Sequence, residues 1–325
     1  MIIDDKNKEM FFDFKSSATY DRSINNFQQW VSLNDKDFSA SSVLYYLSEL
    51  SERYAPTSLW TIYSILNKFM KVFYSIDLNQ CFLLKDFLKN LDKTHCPKKS
   101  SVLSSNDIEN FVNKTDESVL IKCILLIGVY GLLRISELTD LLFDDVTKKG
   151  SCYSFLIRKS KTDQKSKGFY FIVDRDIHWI EKYINMFSLQ DRKGRFFRKI
   201  IGDRGTKTPL GKNWIGKVPF KIASALSLND PHLFTGHCFR RSGATILVDN
   251  GADKLILKRA GRWKSDTVCE GYVEESVDSK IKISKIISGE ERNTSLESSE
   301  KKGNGSAQIT NIVISGGQGF TFNFK

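Results

Sequence analysis

The chain has 325 residues, of which 41% are hydrophobic and 12% aromatic, which predicts a soluble protein of about two domains that each bury a core. Its longest apolar run, residues 119–133, is interrupted by a lysine and two glycines, which excludes a membrane-spanning helix. The formal net charge of +11 favours a polyanionic partner such as nucleic acid, although charge alone fits a basic protein without such a partner equally well.

The first part of the chain has the pattern of a small all-helical domain over residues 17–95, preceded by a loose arm over residues 1–16. Its strongest signal is an apolar stripe that repeats at helical spacing over four turns, from Leu59 to Phe73. Pro56 stands just before this stripe, as is typical of a helix start. No strand pattern interrupts the region, so every element here is predicted to be a helix.

A polar segment with Pro97 follows and is the best candidate for a linker, predicted over residues 96–102. A second domain is predicted over residues 103–288. It begins with capping chemistry, because Ser104 and Asp107 have the spacing of a reciprocal helix cap.

The second domain is predicted to be mostly helical with a small antiparallel sheet, an α+β arrangement. Apolar residues occupy alternate positions in 153–157 and again in 169–173, on either side of the polar segment 161–168, which predicts a hairpin. A strongly apolar helix is predicted over residues 118–130. Further helices are predicted at 177–187, 211–226, 237–250, 253–260, 265–272 and 274–287.

The C-terminal tail is predicted to consist of a flexible tether and a hairpin-like end. Residues 289–307 are rich in Ser, Glu, Lys, Asn and Gly, a composition typical of disorder. Residues 308–325 carry alternating apolar residues on either side of a glycine-rich turn, which is typical of a hairpin. This end is expected either to pack on a neighbouring protomer or its copy, or to stay disordered or fold back on its own domain.

Three short motifs carry chemistry, but each is weak when taken alone. Arg134 and Glu137 lie three residues apart after a glycine, which also fits a surface ion pair. His237 and Arg240 share one face of a predicted helix, which also fits a structural histidine beside a solvated arginine. Tyr272 follows nine residues after a Gly-Arg-Trp sequence, and a lone tyrosine belongs more often to a core or a surface than to a nucleophile.

The joint occurrence of these motifs, with a lysine in the hairpin between them, is more specific. Their order resembles the catalytic set of the tyrosine recombinases, the class that contains phage integrases. The intervals of 23 residues from Arg240 to Trp263 and 9 residues from Trp263 to Tyr272 match familiar members of that family. Many members have histidine where this chain has Trp263, which still supplies an N–H donor.

The resemblance covers residues 103–288 by motif and residues 17–95 by position and class only, the latter looking like the family's core-binding domain. The local sequences at 239–245, 251–253 and 261–272 are most similar to recombinases of eukaryotic Crypton-type mobile elements.

The resemblance implies a role for each residue. Arg134 and Arg240 would grip the non-bridging oxygens of a phosphodiester through their guanidiniums. Tyr272 would supply the attacking oxygen and become a phosphotyrosine ester. The leaving 5′-oxygen needs a proton, and a hairpin lysine is a suitable general acid; Lys161 is the first choice and Lys159 the fallback.

The remaining members of the set have supporting roles by the same resemblance. His237 would assist proton transfer or hold the phosphate, Trp263 Nε1 would hydrogen-bond a phosphate oxygen, and Glu137 would orient Arg134 or the neighbouring backbone. No cofactor or metal is expected, because the six cysteines and four histidines lack zinc-ligand spacing and the covalent ester stores the bond energy without ATP.

The implied function is that of a site-specific DNA recombinase or integrase that cleaves and rejoins double-stranded DNA and mobilises a DNA element. The implied architecture is a C-shaped clamp of two DNA-binding domains, and the implied assembly is a tetrameric synapse built by exchange of C-terminal helices, with residues 274–288 as the candidate. The Crypton resemblance implies a nuclear protein; without it, a bacterial or host cytoplasm is expected.

Two other classes of function stay open from the sequence. A type IB topoisomerase shares the chemistry but acts as a monomer and only relaxes supercoils. A non-enzymatic DNA-binding protein derived from a recombinase would have lost parts of the catalytic set, whereas here every member of the set has a candidate.

Overall fold

The computed structural model describes residues 17–95, 99–158 and 168–288. Within them the chain is mostly helical and has antiparallel strands, as the sequence predicts, but it has two small sheets where the sequence predicts one. The described residues divide between two compact units, with the boundary between Lys99 and Ser100. No helix in these ranges is long and apolar enough to cross a bilayer. The structure does not describe the segments for which an arm (1–16), a tether (289–307) and a hairpin-like end (308–325) are predicted.

The first unit is helical throughout its described length, apart from a short 3-10 turn. Its helices are α1 (Ser17–Leu33), α2 (Ala40–Ser51), α3 (Pro56–Tyr74) and α4 (Phe82–Thr94). Helix α3 packs against the other three, and its apolar stripe forms the centre of the core, where Leu59, Leu66 and Met70 are fully buried. Two local signals set the helix starts: Pro56 is the first residue of α3, and the Ser39 hydroxyl accepts a hydrogen bond from the backbone N–H of Ser42 to cap α2.

The second unit combines helices with five strands in its described residues. In chain order its elements are α5 (Ser105–Lys114), α6 (Val119–Tyr130), α7 (Ile135–Asp140), β1 (Val146–Lys149), β2 (Cys152–Ile157), β3 (Phe169–Val173), α8 (Ile177–Asn185), β4 (Arg198–Ile201), β5 (Arg204–Pro209), α9 (Lys212–Gly216), α10 (Val218–Ala225), α11 (Cys238–Asp249), α12 (Lys254–Gly261), α13 (Asp266–Glu275) and α14 (Val277–Ser288).

Helix α6 is the centre of this unit. Ten of its twelve residues are buried, because helices α5, α7, α8, α10 and α11 and strand β3 surround it. A helix enclosed on all sides needs apolar residues on every face, which explains why its sequence is a nearly continuous apolar run. The packing around α6 therefore fixes the position of the turn that follows α6 and of the start of α11, which packs against it.

The predicted hairpin is present as the antiparallel pair β2–β3, with Phe155 opposite Phe171 and Ile157 opposite Phe169. Three further strands, β1, β4 and β5, are present that the sequence pattern did not predict. Strand β1 adds to the other edge of β2, and β4 and β5 form a separate two-stranded sheet. Gly202, in the turn between β4 and β5, has a left-handed backbone with φ of 56°, which favours glycine.

A small second core joins α11, α12 and α13. It consists of Leu132, Ala244, Val248, Leu257 and Cys269, with Trp263 and Tyr272 packed on it. The helix that carries Tyr272 is thus anchored by a cluster of its own beside the large core around α6.

Replacing Gly243 by alanine is expected to destabilise the second unit. Helix α11 crosses α6 so closely that an added Cβ at Gly243 would lie 2.4 Å from the Val129 carbonyl oxygen and 3.0 Å from Leu132 Cδ1. We expect the overpacking to cost about 1–3 kcal/mol, more than alanine gains by its helix propensity. The free energy of unfolding in urea measures this effect.

Gly271→Ala is the matched control, because Gly271 lies inside α13 with open space where a Cβ would be. This variant is expected to gain up to about 1 kcal/mol from helix propensity alone. A Gly243→Ala protein as stable as the wild type would show that the crossing of α6 and α11 tolerates a methyl group.

Candidate active site

The candidate site is built from three segments of the second unit that are far apart in the chain. The first is the turn between α6 and α7, which ends at Arg134. The second is the start of α11, with His237 and Arg240, and the third runs from the end of α12 to Tyr272 on α13. Each segment lies at the end of a helix that is packed into one of the two cores of this unit. The backbone that carries the side chains of the site is therefore fixed in position.

Arg134 is held by Glu137 in two ways. Its guanidinium Nη1 donates to Glu137 Oε1 at 2.9 Å, and its backbone N–H donates to Glu137 Oε2 at 2.9 Å. The Glu137 side chain is only 3% exposed, so the pair is largely shielded from water and strengthened accordingly. Glu137 therefore orients the guanidinium and caps the first turn of α7 at the same time.

Arg240 is 4% exposed and bonds two backbone carbonyls. Its Nη1 donates to the Leu132 carbonyl at 2.7 Å, and its Nη2 donates to the Gly261 carbonyl. A guanidinium has five N–H donors, so these bonds fix its plane and use two of them. The Leu132 carbonyl is aimed by a left-handed backbone with φ of 46°, a strained conformation for leucine.

The charges of the site influence each other. Burial lowers the pKa of Arg240 to about 10, and the positive charges of Arg134 and Arg262 contribute, whereas Glu137 and Tyr272 act in the opposite direction. A pKa of this size leaves Arg240 charged at neutral pH. The other four side chains therefore all lie within electrostatic range of Arg240.

His237 precedes the first residue of α11 and remains solvent-exposed. The protein packed beneath its ring nevertheless lowers its pKa by burial, and the charges of Arg240, Arg134 and Arg241 lower it further. Since its ordinary pKa is about 6.5, the imidazole is neutral at pH 7. A neutral ring nitrogen can accept a proton there.

Trp263 and Tyr272 pack against each other with ring centroids 5.1 Å apart. The Trp263 ring also lies under the Arg240 guanidinium, 4.9 Å from Cζ to the centroid, within the range of a cation–π contact. Gly261 makes this arrangement possible, because a Cβ there would lie 2.1 Å from Trp263 Cζ3. Tyr272 itself is half-buried.

Ion pairs link α12 to α13, the helix that carries Tyr272. Lys258 Nζ lies 2.6 Å from Asp266 Oδ1, and Lys254 Nζ lies 2.5 Å from Glu270 Oε1. These pairs are largely exposed, so each contributes little to stability.

The two lysine predictions, Lys161 and Lys159, lie outside the described residues. Strand β3, which follows them in the chain, begins beside the site: the Phe169 ring centroid is 3.7 Å from Arg262 Cζ. The choice between the two lysines stays a prediction.

Arg262 is a residue that the sequence analysis did not single out. It bonds Glu137 Oε2 through Nη2 at 2.9 Å, so Glu137 lies between two guanidiniums. The signal was present in the Gly-Arg-Trp sequence beside Trp263, but nothing local distinguishes this arginine from a solvated one.

The electrostatic balance of the site is positive. Three guanidiniums, those of Arg134, Arg240 and Arg262, face one carboxylate, that of Glu137. Preorganised donors with excess positive charge stabilise negative charge that develops on a phosphate in a transition state. Nowhere in the described ranges do three or more His, Cys, Asp or Glu side chains group as metal ligands would. Guanidiniums such as those of Arg134 and Arg240 are suited to bind the oxygens of a phosphodiester.

Comparison with known proteins gives the family. The phage integrase family matches residues 101–278, more than half of the chain, and the chain belongs to this family of tyrosine recombinases. A curated relative, an integrase/recombinase xerD homolog from Selenomonas ruminantium, is 26% identical over 162 residues, which are 47% of this chain and 47% of that protein. The chain thus spans about half the length of the curated relative it matches.

Solved structures share the fold at low sequence identity. The XerH site-specific recombinase, bound to a palindromic difH substrate, is 16% identical with a TM-score of 0.60, over 83% of this chain and 79% of that one. The Tn1549 transposon integrase, in complex with transposon right end DNA, is 15% identical with a TM-score of 0.60, over 86% and 95%.

Proposed function

We propose that the chain is a site-specific DNA strand transferase that cuts and rejoins double-stranded DNA through a covalent 3′-phosphotyrosyl bond at Tyr272. The observation that carries the proposal is the convergence of Arg134, His237, Arg240 and Trp263 around this tyrosine in a positively charged site. Membership of the phage integrase family supports the same reaction.

The proposed step exchanges one phosphodiester bond for another. The Tyr272 oxygen forms a bond to phosphorus as the bond from phosphorus to the 5′-oxygen breaks. The phenol proton passes to neutral His237 or to water, and Lys161 donates a proton to the leaving 5′-oxygen, which becomes a 5′-hydroxyl. Arg134 and Arg240 bind the non-bridging oxygens, whose negative charge grows in the transition state. The reverse attack by a 5′-hydroxyl of another strand rejoins the DNA and frees Tyr272, so neither ATP nor an oxidant is consumed.

Lys161→Ala is expected to slow cleavage of ordinary DNA strongly, by on the order of 10²-fold or more, because the leaving 5′-oxygen then lacks its proton donor. A substrate with sulfur in place of that oxygen should restore the rate, since a thiolate leaves without a proton. Single-turnover cleavage of the two substrates measures the rescue.

Lys159→Ala is the matched control for this experiment, because it removes the same charge two residues away. The Lys159→Ala variant should cleave the ordinary substrate and the sulfur-containing substrate at similar rates. If the Lys159 variant is rescued by sulfur and the Lys161 variant is not, Lys159 is the general acid.

The proposed partner is double-stranded DNA, and the proposed assembly is a tetrameric synapse. The net charge of +11 supplies affinity for phosphates without regard to sequence, and the structures of XerH and the Tn1549 integrase are DNA complexes. Helix α14 exposes Ile283, Ile286 and Ile287, the last to 81%. An exposed apolar face of this kind favours burial against another protomer, which supports α14 as the exchanged helix.

The finer proposals concern the biological setting. The local sequences at 239–245 and 261–272 support a Crypton-type recombinase that mobilises a DNA element, and a nuclear location follows from that assignment. The comparisons bear on the family rather than on this subgroup.

A nicked suicide substrate tests the function. DNA from the ends of the element that encodes the chain is nicked close to the cleavage position. The short fragment released by cleavage, which carries the free 5′-hydroxyl, then diffuses away, so that the strand cannot be rejoined and the covalent adduct accumulates. Peptide mapping should find the DNA linked to Tyr272. Supercoiled plasmids that carry two sites then distinguish the possible reactions. Recombinant products support a recombinase, whereas relaxed circles alone support a topoisomerase. If no adduct forms on the nicked substrate, the chain is a DNA-binding protein without catalysis.

A further inference from the structure

Arg262 occupies a backbone conformation that arginine does not favour. It ends helix α12 with φ of 55° and ψ of 43°, in the left-handed region. A residue with a Cβ is strained in this conformation, whereas glycine adopts it freely. The side chain must therefore make contacts here that glycine cannot supply.

The contacts of Arg262 run from the end of α12 to the turn that carries Arg134. Nη1 donates to the Gly131 carbonyl at 3.0 Å and to the Ala260 carbonyl at 3.1 Å. Nη2 donates to the Leu132 carbonyl at 3.2 Å and to Glu137 Oε2 at 2.9 Å. The Phe169 ring covers the guanidinium, and the side chain is 12% exposed.

This pattern separates Arg262 from Arg240. The four hydrogens on the Nη atoms of Arg262 all point to protein acceptors, and its Nε is buried without a hydrogen-bond partner. A phosphate could be bound only by giving up one of these bonds. Arg240, by contrast, uses two of its five donors on the protein, so the two arginines have different tasks.

The acceptors of Arg262 are groups on which the other two arginines depend. Glu137 holds the Arg134 guanidinium through Oε1, while Arg262 holds its other oxygen. The Leu132 carbonyl receives Arg240 Nη1 as well as Arg262 Nη2. Without Arg262, the Glu137 carboxylate would lose one of its two guanidinium partners. The Leu132 carbonyl, in a strained turn, would also lose a hydrogen bond that keeps it in place.

We propose that Arg262 is a positioning residue of the strand-transfer reaction: by holding Glu137 and the Leu132 carbonyl, it sets the directions in which Arg134 and Arg240 present their guanidiniums to the phosphate. The inference rests on the proposed function. It adds a residue that acts through its neighbours to the set that touches DNA.

The first test is Arg262→Gly in single-turnover cleavage. Glycine keeps the left-handed backbone without strain, so the variant removes the guanidinium and leaves the end of α12 as it is. Cleavage of ordinary DNA is expected to fall by on the order of 10-fold to 100-fold, as when catalytic groups are displaced by about an ångström. DNA affinity should change little, because the Arg262 donors are committed to the protein.

A second substrate distinguishes positioning from loss of stability. In a methylphosphonate, a methyl group replaces one charged non-bridging oxygen, so Arg134 and Arg240 have less negative charge to stabilise in the transition state. The Arg262→Gly variant should therefore lose less rate on the methylphosphonate than on the phosphodiester. A general loss of folded protein would slow both substrates by the same factor.

Arg198→Gln is the matched structural control. Arg198 is also buried, bonds the Arg195 and Asp191 carbonyls and lies over the rings of Phe143 and Phe187. Its replacement should lower the thermal midpoint while leaving the ratio of the two cleavage rates at the wild-type value. If Arg262→Gly behaves in the same way, its role is structural and the inference is wrong.

A double-mutant cycle with Glu137→Gln tests the route of the effect. If Arg262 acts in part through Glu137, the double variant should cleave faster than the product of the two single effects predicts, whereas independent effects would multiply in full. Multiplied effects, or a wild-type rate for Arg262→Gly, overturn the inference and leave the proposed function intact. A wild-type chain that forms no adduct overturns both.

Discussion

Replacing Tyr272 by phenylalanine is expected to abolish covalent attachment of DNA while leaving DNA affinity nearly unchanged. The substitution keeps the ring that packs against Trp263 at 5.1 Å between centroids and the contacts with the small core under α13. It removes only the phenol oxygen, which is the proposed nucleophile. Denaturing gels of the nicked-substrate reaction measure the adduct, and a direct binding titration measures the affinity.

Tyr130→Phe is the control for this experiment. Tyr130 ends helix α6 and is also half-buried, so the same hydroxyl is removed from a comparable environment in the same unit. This variant should form adduct at the wild-type yield. A normal yield of phosphotyrosyl adduct from the Tyr272→Phe protein would refute the proposed mechanism.

The second large effect is expected at Arg240. Replacement by alanine or lysine should slow single-turnover cleavage by about 10²-fold or more, because a transition-state donor is lost. Lysine should rescue poorly, since one ammonium cannot bond the Leu132 and Gly261 carbonyls as Arg240 does and still present a fork to the phosphate. Burial would also lower the pKa of a lysine at this position and favour its neutral form.

Arg198→Lys is the matched control, because Arg198 is similarly buried at 5% exposure and also bonds two backbone carbonyls. This variant should be less stable, yet the folded protein should cleave at close to the wild-type rate. A near wild-type rate for Arg240→Lys would show that the site needs a charge at this position and not a guanidinium.

Much of the helical fold was predictable because its signals are local. The Pro56 start and the reciprocal cap of Ser104 and Asp107 are interactions within one helical turn, and the apolar stripe of α3 repeats within a few residues. Strands β2 and β3 were predictable for the same reason, since their alternation is continuous.

The strands that were missed lack such signals. Strand β1 is four residues long with two adjacent lysines, and three of its residues are exposed, so only its pairing with β2 defines it. Strand β5 is similarly polar, and β4 has only two apolar residues, which are adjacent and so do not alternate. The Gly202-Asp203 pair between the two strands is nevertheless a hairpin signal.

The order and spacing of residues along the chain were enough to predict the family resemblance. They also identified five side chains that the structure brings together, namely Arg134, His237, Arg240, Trp263 and Tyr272. The catalytic roles of these residues, and of Lys161, stay predictions that the experiments above address.

The contacts that hold the arginines become visible only in the folded chain. The bond from Arg240 to the Leu132 carbonyl spans 108 positions of the chain, and the bond from Arg262 to Glu137 spans 125. Both depend on how α6, α11 and α12 pack, on the close crossing at Gly243 and on the strained turn at Leu132. Periodicity and caps are properties of a few neighbouring residues, whereas the direction of a buried guanidinium depends on acceptors that only the folded chain brings to it.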